Sequence, residues 1–575
     1  MTAVRRVAAT GTGGPMKLES PRAMVTAGNA TAAAVGAQIL AQGGNAMDAA
    51  VATAFASGVV EPAMSGIGGR GYLVALRPGE DEALVIDGHE RAPRGARPDM
   101  FQVGSRGRRI VSGWGVEAEV ADAANRDGHL AIAVPGVVPA LALAHVRSGE
   151  LSWRAVIEPS IRLALCGFEV DETLAALIAM HEERLSRYPA TAAIFLPDGR
   201  APAVGERLVQ RDLARSLELI ADRGPMAMRD GPLARAIVDD VARGGGVLSL
   251  DDLRLIEPRV WDRAATTTFH GHRLLGVPDA TGAVTLFEIL NMIEAAGLEG
   301  EPLSAANAHL LAELFRAAFE DRRRWVDDGD HADVPFSGLT DKEFARTRVG
   351  HVDRARRSAE LAASDPFAFD ALPVPGNRPA EGSPVADRHT THFCAVDERR
   401  MVVSMTQSLI DPFGSAVVAR GTGVLLNSAM HNFNPVPGEV GSIAPWKRAG
   451  HFGTPLVVLD PDGNPRLAAG AGGGTRIVTG LAQVLVRVIQ RGEPLPDAIA
   501  APRIHCDGAA VELDERVAAQ LELELRARGH EVEPRAASFG APAFARVNAI
   551  EITPGRLVGA ADPFSNAGAA APEQA

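Results

Sequence analysis

Apolar positions recur at helical spacing through much of the first 330 residues and give way to short apolar runs beyond residue 390. Residues 32–42 are alanine-rich with Val35, Ile39 and Leu40 on one face, closed by Gly43-Gly44, which predicts a helix with a glycine cap. Asp48 can start a second helix over 49–57, small and apolar all round and therefore buried. Gly68-Gly69-Arg70-Gly71 predicts tight turns and close backbone approach. Residues 83–87 read as a strand running into Gly88-His89-Glu90, and Val134-Pro135-Gly136 as a turn before a helix. From 153 to 246 the pattern is largely helical, with Leu213, Leu217 and Ile220, then Leu233, Ile237 and Val241, at near-helical spacing. Residues 303–324 predict a further long amphipathic helix.

The later runs read as strands. Residues 391–396 and 401–405 flank the charged turn Asp397-Glu398-Arg399-Arg400 and predict a β-hairpin. Ahead of it, Pro373, Pro375, Pro379 and Pro384 fall within 371–386, a density that excludes a helix or central strand and predicts an exposed loop. Residues 413–418, 423–426 and 455–459 are expected as short strands, and Asp460-Pro461-Asp462-Gly463-Asn464-Pro465 as the turn joining 456–459 to 466–469. Gly470-Ala471-Gly472-Gly473-Gly474-Thr475-Arg476 then opens a helix striped by Ile477, Leu481, Val484, Leu485 and Val488. The alanine-rich tail, 567–575, is expected to fray.

Composition narrows the chemistry. A net charge of −13 argues against nucleic acid or an anionic membrane surface as the main partner. Cys166, Cys394 and Cys506 have no ligand spacing, so neither a disulfide framework nor a zinc site is expected, and no metal or cofactor is implied. Residues 1–20 lack an apolar run after Arg5 and Arg6, and no run reaches the roughly 20 residues of a membrane span, so a cytoplasmic protein is expected.

A loop running into a strand that opens with Thr390-Thr391 suits an autocleaved N-terminal nucleophile. Cutting His389–Thr390 leaves Thr390 with a hydroxyl and a free α-amine, whose reference pKa of about 8 lets it act as local base. Plain β-propensity also explains a threonine pair at a strand start. The glycine run likewise has three readings: a tight strand-to-helix turn, a dinucleotide site, or an oxyanion hole. The first two need no threonine; the third becomes attractive with one.

Taken together, the pieces resemble the gamma-glutamyltransferase (glutathione hydrolase) family of N-terminal nucleophile hydrolases. The carriers, in order, are Gln42-Gly43-Gly44-Asn45-Ala46-Met47-Asp48-Ala49-Ala50, Pro135-Gly136, Leu208-Val209-Gln210, Thr390-Thr391-His392-Phe393, Leu425-Leu426-Asn427, Gly472-Gly473-Gly474-Thr475-Arg476, Ala501-Pro502-Arg503-Ile504-His505 and Ala561-Asp562-Pro563. The resemblance implies an α+β fold, a four-layer αββα sandwich built by one precursor that cuts itself. Residues 1–389 would form the large subunit and 390–575 the small one, paired as a heterodimer. Thr390 matches the nucleophile, Ser408 a threonine whose hydroxyl contacts it, and Gly473 and Gly474 the oxyanion-hole glycines. The implied reaction is attack on an amide of a small molecule, an acyl-enzyme on Thr390, then transfer to water or an amine.

The substrate positions depart from that pattern. His89 stands where the family holds a glutamyl carboxylate with arginine, His451 and Phe452 where it has a serine pair, and Asn432 where it has an acidic residue. Ile410 and Ala429 replace amide side chains. Histidine lacks arginine's bidentate fork, and Asn432 cannot pair with an ammonium. These exchanges predict an amidase or acylase that does not prefer gamma-glutamyl donors. Two alternatives stay open: a glutathione hydrolase or transpeptidase with a rearranged pocket, in which Arg91 or Arg94 replaces the lost arginine, and an uncleaved binding protein. His89 and His451 also fit as surface or capping residues.

Overall fold

The hairpin expected after residue 390 lies in the middle of an eight-stranded sheet. In the computed structural model, residues 4–573 are described except 10, 12, 112–114, 371–388, 509 and 539–542; the proline-rich loop expected over 371–386 lies outside the described residues. From edge to edge the strands are Val4–Ala8, Gly568–Pro572, Met24–Ala27, His389–Val396, Val402–Ile410, Arg70–Leu76, Leu84–Gly88 and Arg259–Trp261, each antiparallel to its neighbour. A second, seven-stranded antiparallel sheet runs Ala265–Phe269, His272–Gly276, Leu456–Leu459, Pro465–Gly472, Arg546–Thr553, Arg556–Ala561 and Met16–Ser20.

Side chains alternate across each strand, and the alternation sorts the core. Cys394 and Val396 of the hairpin join Val74 and Leu76 and, from the second sheet, Val457, Ala468 and Ile550 in one apolar cluster. The intervening residues Phe393, Ala395, Val403 and Met405 join Leu73 and the helices Ala30–Ala41 and Ala46–Val60 in another. A third cluster packs Leu456, Leu467 and Val547 of the second sheet against the helices Gly282–Ala296, Ala305–Trp325 and Arg476–Leu485. The central strands of each sheet therefore turn one face to the partner sheet and the other to helices.

Helix Ala46–Val60 is buried on all sides, as its sequence predicts, and starts two residues before the expected Asp48. Asn45 caps it, and Asp48 closes the box from the third position, accepting from the Asn45 amide at 3.0 Å. The same carboxylate accepts the Glu150 and Leu151 amides. Burial pushes Asp48 upward, but His145 and these amides outweigh it and hold the carboxyl below its usual value.

Two expectations are corrected. Residues 413–418 and 423–426 are not strands; a single bridge, Val418 to Leu425, joins them. Phe413, Gly414 and Ala416 take φ of 58°, 53° and 62°, which turns the run back on itself. Its carbonyls are satisfied by side chains from helices: Arg184 donates to Pro412 and Gly414, and Thr191 Oγ1 donates to Ala416 at 2.7 Å. Nor does the tail fray, since Gly568–Pro572 is a buried strand between Val4–Ala8 and Met24–Ala27. A Cβ on Gly568 would sit 2.6 Å from Ala30 Cβ, so a small residue lets helix and strand touch. Among the described residues no helix is long and apolar enough to cross a membrane.

Candidate active site

Three side chains stand abreast on adjacent strands. Thr390 pairs with Ser408, and Ser408 with Arg70. Directly opposed residues share a face, so all three project towards the second sheet, while Thr391 points to the helices. The ladder is bulged at the bond of interest: His389 faces Ile410 and Thr390 faces Ser408, leaving Leu409 extra. Ile410, a β-branched residue, takes φ 81° there, a strained conformation of the kind that gathers at functional sites. The bulge aims the Ser408 hydroxyl at the backbone. Thr390 Oγ1 donates to Ser408 Oγ at 3.2 Å, Ser408 Oγ donates to the His389 carbonyl at 2.7 Å, and the Ile410 amide donates to Ser408 Oγ at 2.9 Å.

His392 lies two residues beyond Thr390 on the same face; burial pushes it down to about 3, and its nitrogens meet Thr406 Oγ1 at 2.9 Å and Cys394 Sγ at 3.2 Å. On the opposite face Thr391 Oγ1 donates to Glu61 Oε2 at 2.9 Å. Burial raises the Glu61 carboxyl to about 7.

The glycine run arrives from the second sheet. A Cβ on Gly472 would lie 2.0 Å from the Thr390 carbonyl oxygen, so only glycine lets the turn approach. Gly473 follows at φ 139° and Gly474 at φ 64° before helix Arg476–Leu485 begins. Gly473 and His389 wall the same cleft, of about 600 Å³, with Asp411, Arg184, Arg535 and Arg546 among its other lining residues. Arg503 of the Ala501–His505 run braces the turn from behind, donating to Ala545 O at 2.7 Å and standing 3.7 Å from Asp562.

Most of the expected pocket residues gather beside Arg70. Asn427 ties this region together: its amide donates to Gly68 O at 2.8 Å and Ala133 O at 3.0 Å and accepts from the Ala133 and Ala429 amides. That bracket holds the turn Ala429–Asn432 against the strand carrying Arg70. Ala429 packs in one small cluster with Ile410. Asn432, with its amide oxygen turned to the arginine, accepts from Arg70 Nη1 at 3.2 Å and Nη2 at 3.1 Å. His89 and His451 meet edge to face at 4.8 Å, and Tyr72 stacks on His451 at 4.1 Å. Both histidines are buried, which removes the surface reading, and burial with the Arg70 charge holds both well below the usual imidazole range. Phe452 does not join them: it lies in the cluster behind the second sheet, with the Arg322 guanidinium 4.2 Å from its ring.

Arg70 itself was missed by sequence reasoning, which read Gly69-Arg70-Gly71 only as a turn. It is completely buried and paired with Glu90 at 2.6 Å. The readable signal was an arginine at the start of an otherwise apolar strand, where it can only be buried with a partner. Arg91, proposed for the lost arginine, instead donates to Trp446 O at 2.9 Å and pairs with Asp330. Asp87, His89 and Asp279 come close enough to hold a cation. Arg448 already occupies that role, 2.7 Å from Asp279 and 3.6 Å from Asp87, so the trio reads as an ion-pair network.

The arrangement is matched by known proteins. The family model described as gamma-glutamyltranspeptidase matches residues 32–572. An acylase ACY 1 proenzyme of Pseudomonas sp. (strain V22) is 36% identical over 547 residues, covering 94% of this chain and 92% of the relative. A glutathione hydrolase proenzyme of Bacillus subtilis (strain 168) is 30% identical over 510 residues, covering 88% and 84%. Among solved structures, a cephalosporin acylase from Bacillus halodurans is similar with a TM-score of 0.83 at 25% identity, over 100% of this chain and 98% of that one. A gamma-glutamyltranspeptidase from Helicobacter pylori gives 0.54 at 27% identity, over 60% of this chain and 95% of that one. These matches, spread over nearly the whole sequence, place the chain in the gamma-glutamyltranspeptidase family, a family of hydrolytic and acyl-transferring enzymes.

Proposed function

We propose that this chain is a self-processing N-terminal threonine amidohydrolase or acyltransferase that acts on a small acyl amide other than gamma-glutamyl. The observation that carries the reading is the hydrogen-bond chain from Thr390 Oγ1 through Ser408 Oγ to the His389 carbonyl. It supports a first, internal reaction. The Thr390 oxygen attacks the His389 carbonyl carbon while Ser408 polarises its oxygen; the C–N bond then breaks, giving an ester on Thr390 and a free α-amine. Water hydrolyses the ester, leaving a carboxylate on His389. The two sheets, with helices packed outside each, would then form the four-layer αββα sandwich, with 1–389 as large and 390–575 as small subunit of a heterodimer.

In the processed enzyme the Thr390 amine accepts the hydroxyl proton as the oxygen attacks the substrate carbonyl. Backbone N–H groups of Gly473 and Gly474 receive the developing alkoxide; removing such a donor typically costs about 10²–10³ in rate. The acyl pocket is formed by His89, Ile410, Ala429, Asn432 and His451 over Arg70 and Glu90. Neutral imidazoles and a guanidinium already bound to a carboxylate suit an acyl group unlike glutamate. The likeness to proteins called acylases points the same way.

One observation favours a second reading. The buried Arg70–Glu90 pair offers both charges that a glutamyl carboxylate and ammonium need, and a relative is called a glutathione hydrolase. Turnover of a chromogenic gamma-glutamyl anilide separates the two: saturable hydrolysis would sink the first and establish the second. Intact-mass measurement tests the shared premise. The wild type is expected as two fragments, the smaller beginning at Thr390, and Thr390→Ala as one uncut chain. A single full-length mass for both proteins would refute self-processing.

A further inference from the structure

The cleft beside His389 and Gly473 is walled by several arginines, and almost all are engaged by carboxylates. Arg184 Nε is 2.6 Å from Asp127, and Arg476 holds Glu512 through two bonds of 2.7 and 2.8 Å. Arg535 stands between Glu512 and Glu533 at 3.1 and 2.5 Å, and Arg126 grips Asp127 at 3.1 Å. The cleft's own carboxylate, Asp411, accepts from Ser428 Oγ at 2.9 Å and is 2.7 Å from His431 Nδ1.

Arg546 differs. It is nine-tenths buried, yet among the described residues its side-chain hydrogen bond runs from Nη2 to the thioether sulfur of Met64, at 3.1 Å. A thioether is a weak acceptor and carries no charge. The neighbouring carboxylates do not fill the gap. Glu61 is hydrogen-bonded to Thr391, and it and Asp562 act on Arg546 through charge alone. A buried guanidinium without a carboxylate partner is costly unless an anion reaches it.

Its position is what gives the cation a use. Arg546 faces Gly472 in the strand register. The site of a Gly472 Cβ is 3.7 Å from Arg546 Nη2 and 2.0 Å from the Thr390 carbonyl oxygen, so the guanidinium and the nucleophile's backbone are neighbours across one missing side chain.

We propose that Arg546 is an anion-binding, specificity-determining residue of this cleft and receives a carboxylate carried by the substrate close to its scissile amide. The substrate class is thereby narrowed to amides bearing a carboxylate. The inference rests on the Thr390 reading for its use in catalysis, whereas the binding itself does not. Succinate, with its uncharged diamide succinamide as the comparison, is the probe, titrated calorimetrically into purified full-length protein in whatever processed state it adopts. Succinate is expected to bind more tightly than succinamide, and Arg546→Gln to weaken it at least tenfold. Arg546→Lys keeps the charge but loses the planar fork, and a loss of about threefold to tenfold is expected. Equal binding of succinate and succinamide, or succinate affinity unchanged in Arg546→Gln, would overturn the proposal. Should Arg546→Gln fail to fold, as judged by its thermal melt, Arg546→Lys decides, and an unchanged affinity there counts against it. A protein never cut at Thr390 would refute the amidase reading while leaving this titration interpretable.

Discussion

At the residue scale, Ser408 is the side chain that links the Thr390 hydroxyl to the His389 carbonyl. One hydroxyl accepts from Thr390 and from the Ile410 amide and donates to the His389 carbonyl. Replacing it by alanine leaves that carbonyl without its polarising donor and the Thr390 proton without its relay. Ser408→Ala is expected to slow self-cleavage about 10²-fold, and Ser408→Thr to retain most of the rate, read from the time course of the two fragments on a denaturing gel. The pattern of the sequence pointed to Thr390, and the family resemblance to Ser408. The pattern could not point to Arg70, because a two-residue break of glycines hides the strand in which it sits.

At the element scale, the end of helix Ala46–Val60 carries a pH-sensitive joint. Glu61 caps that end and receives the Thr391 hydroxyl, tying helix to hairpin one residue from Thr390. Burial raises its carboxyl from 4.5 to about 7. The stability it contributes is therefore full below about pH 4.5 and is lost as pH climbs through about 7, because the charged form is the one the site disfavours. Glu61→Gln should flatten the thermal stability across that window. Above pH 7 the variant should exceed the wild type by up to about 2 kcal/mol, a value discounted for the partial exposure of the group. Melts at pH 4.5 and pH 8 check it; parallel curves for the two proteins would contradict the assignment.

At the scale of the whole molecule, the two proposed subunits cannot part easily. The eight-stranded sheet interleaves Gly568–Pro572 between Val4–Ala8 and Met24–Ala27, and seats His389–Val396 and Val402–Ile410 between Met24–Ala27 and Arg70–Leu76. The second sheet puts Met16–Ser20 beside Arg556–Ala561 and His272–Gly276 beside Leu456–Leu459. Separating the pieces would expose strand edges and all three clusters at once. The fragments are expected to elute together in gel filtration and to separate only in denaturant. Deleting 568–575 opens the sheet at Val4–Ala8 and Met24–Ala27, and should give an insoluble, uncut chain.

How much of this was legible in the sequence depended on whether the cause was local. The helix end near residue 41, the hairpin, and the turn into helix Arg476–Leu485 follow from spacing, caps and glycines, each fixed within a few neighbouring residues. Thr390 and the glycine run stood out because they open and close those local elements, whereas Ser408 was named only through the family resemblance. The tail looked frayed and 413–426 looked like strands because their real partners lie far away in the chain: the Val4–Ala8 strand for one, the Arg184 and Thr191 side chains for the other. The same holds for the pocket. His89, Asn432 and His451 gather beside Arg70, Phe452 lies apart from them and Arg546 stands opposite Gly472, because strand register and the facing of two sheets choose neighbours. Sequence by itself determined the hairpin, the glycine turn and the helices closed by local caps; only the tertiary structure decided which charges stand beside Thr390, since a buried charge is defined by its partners and those are set by packing.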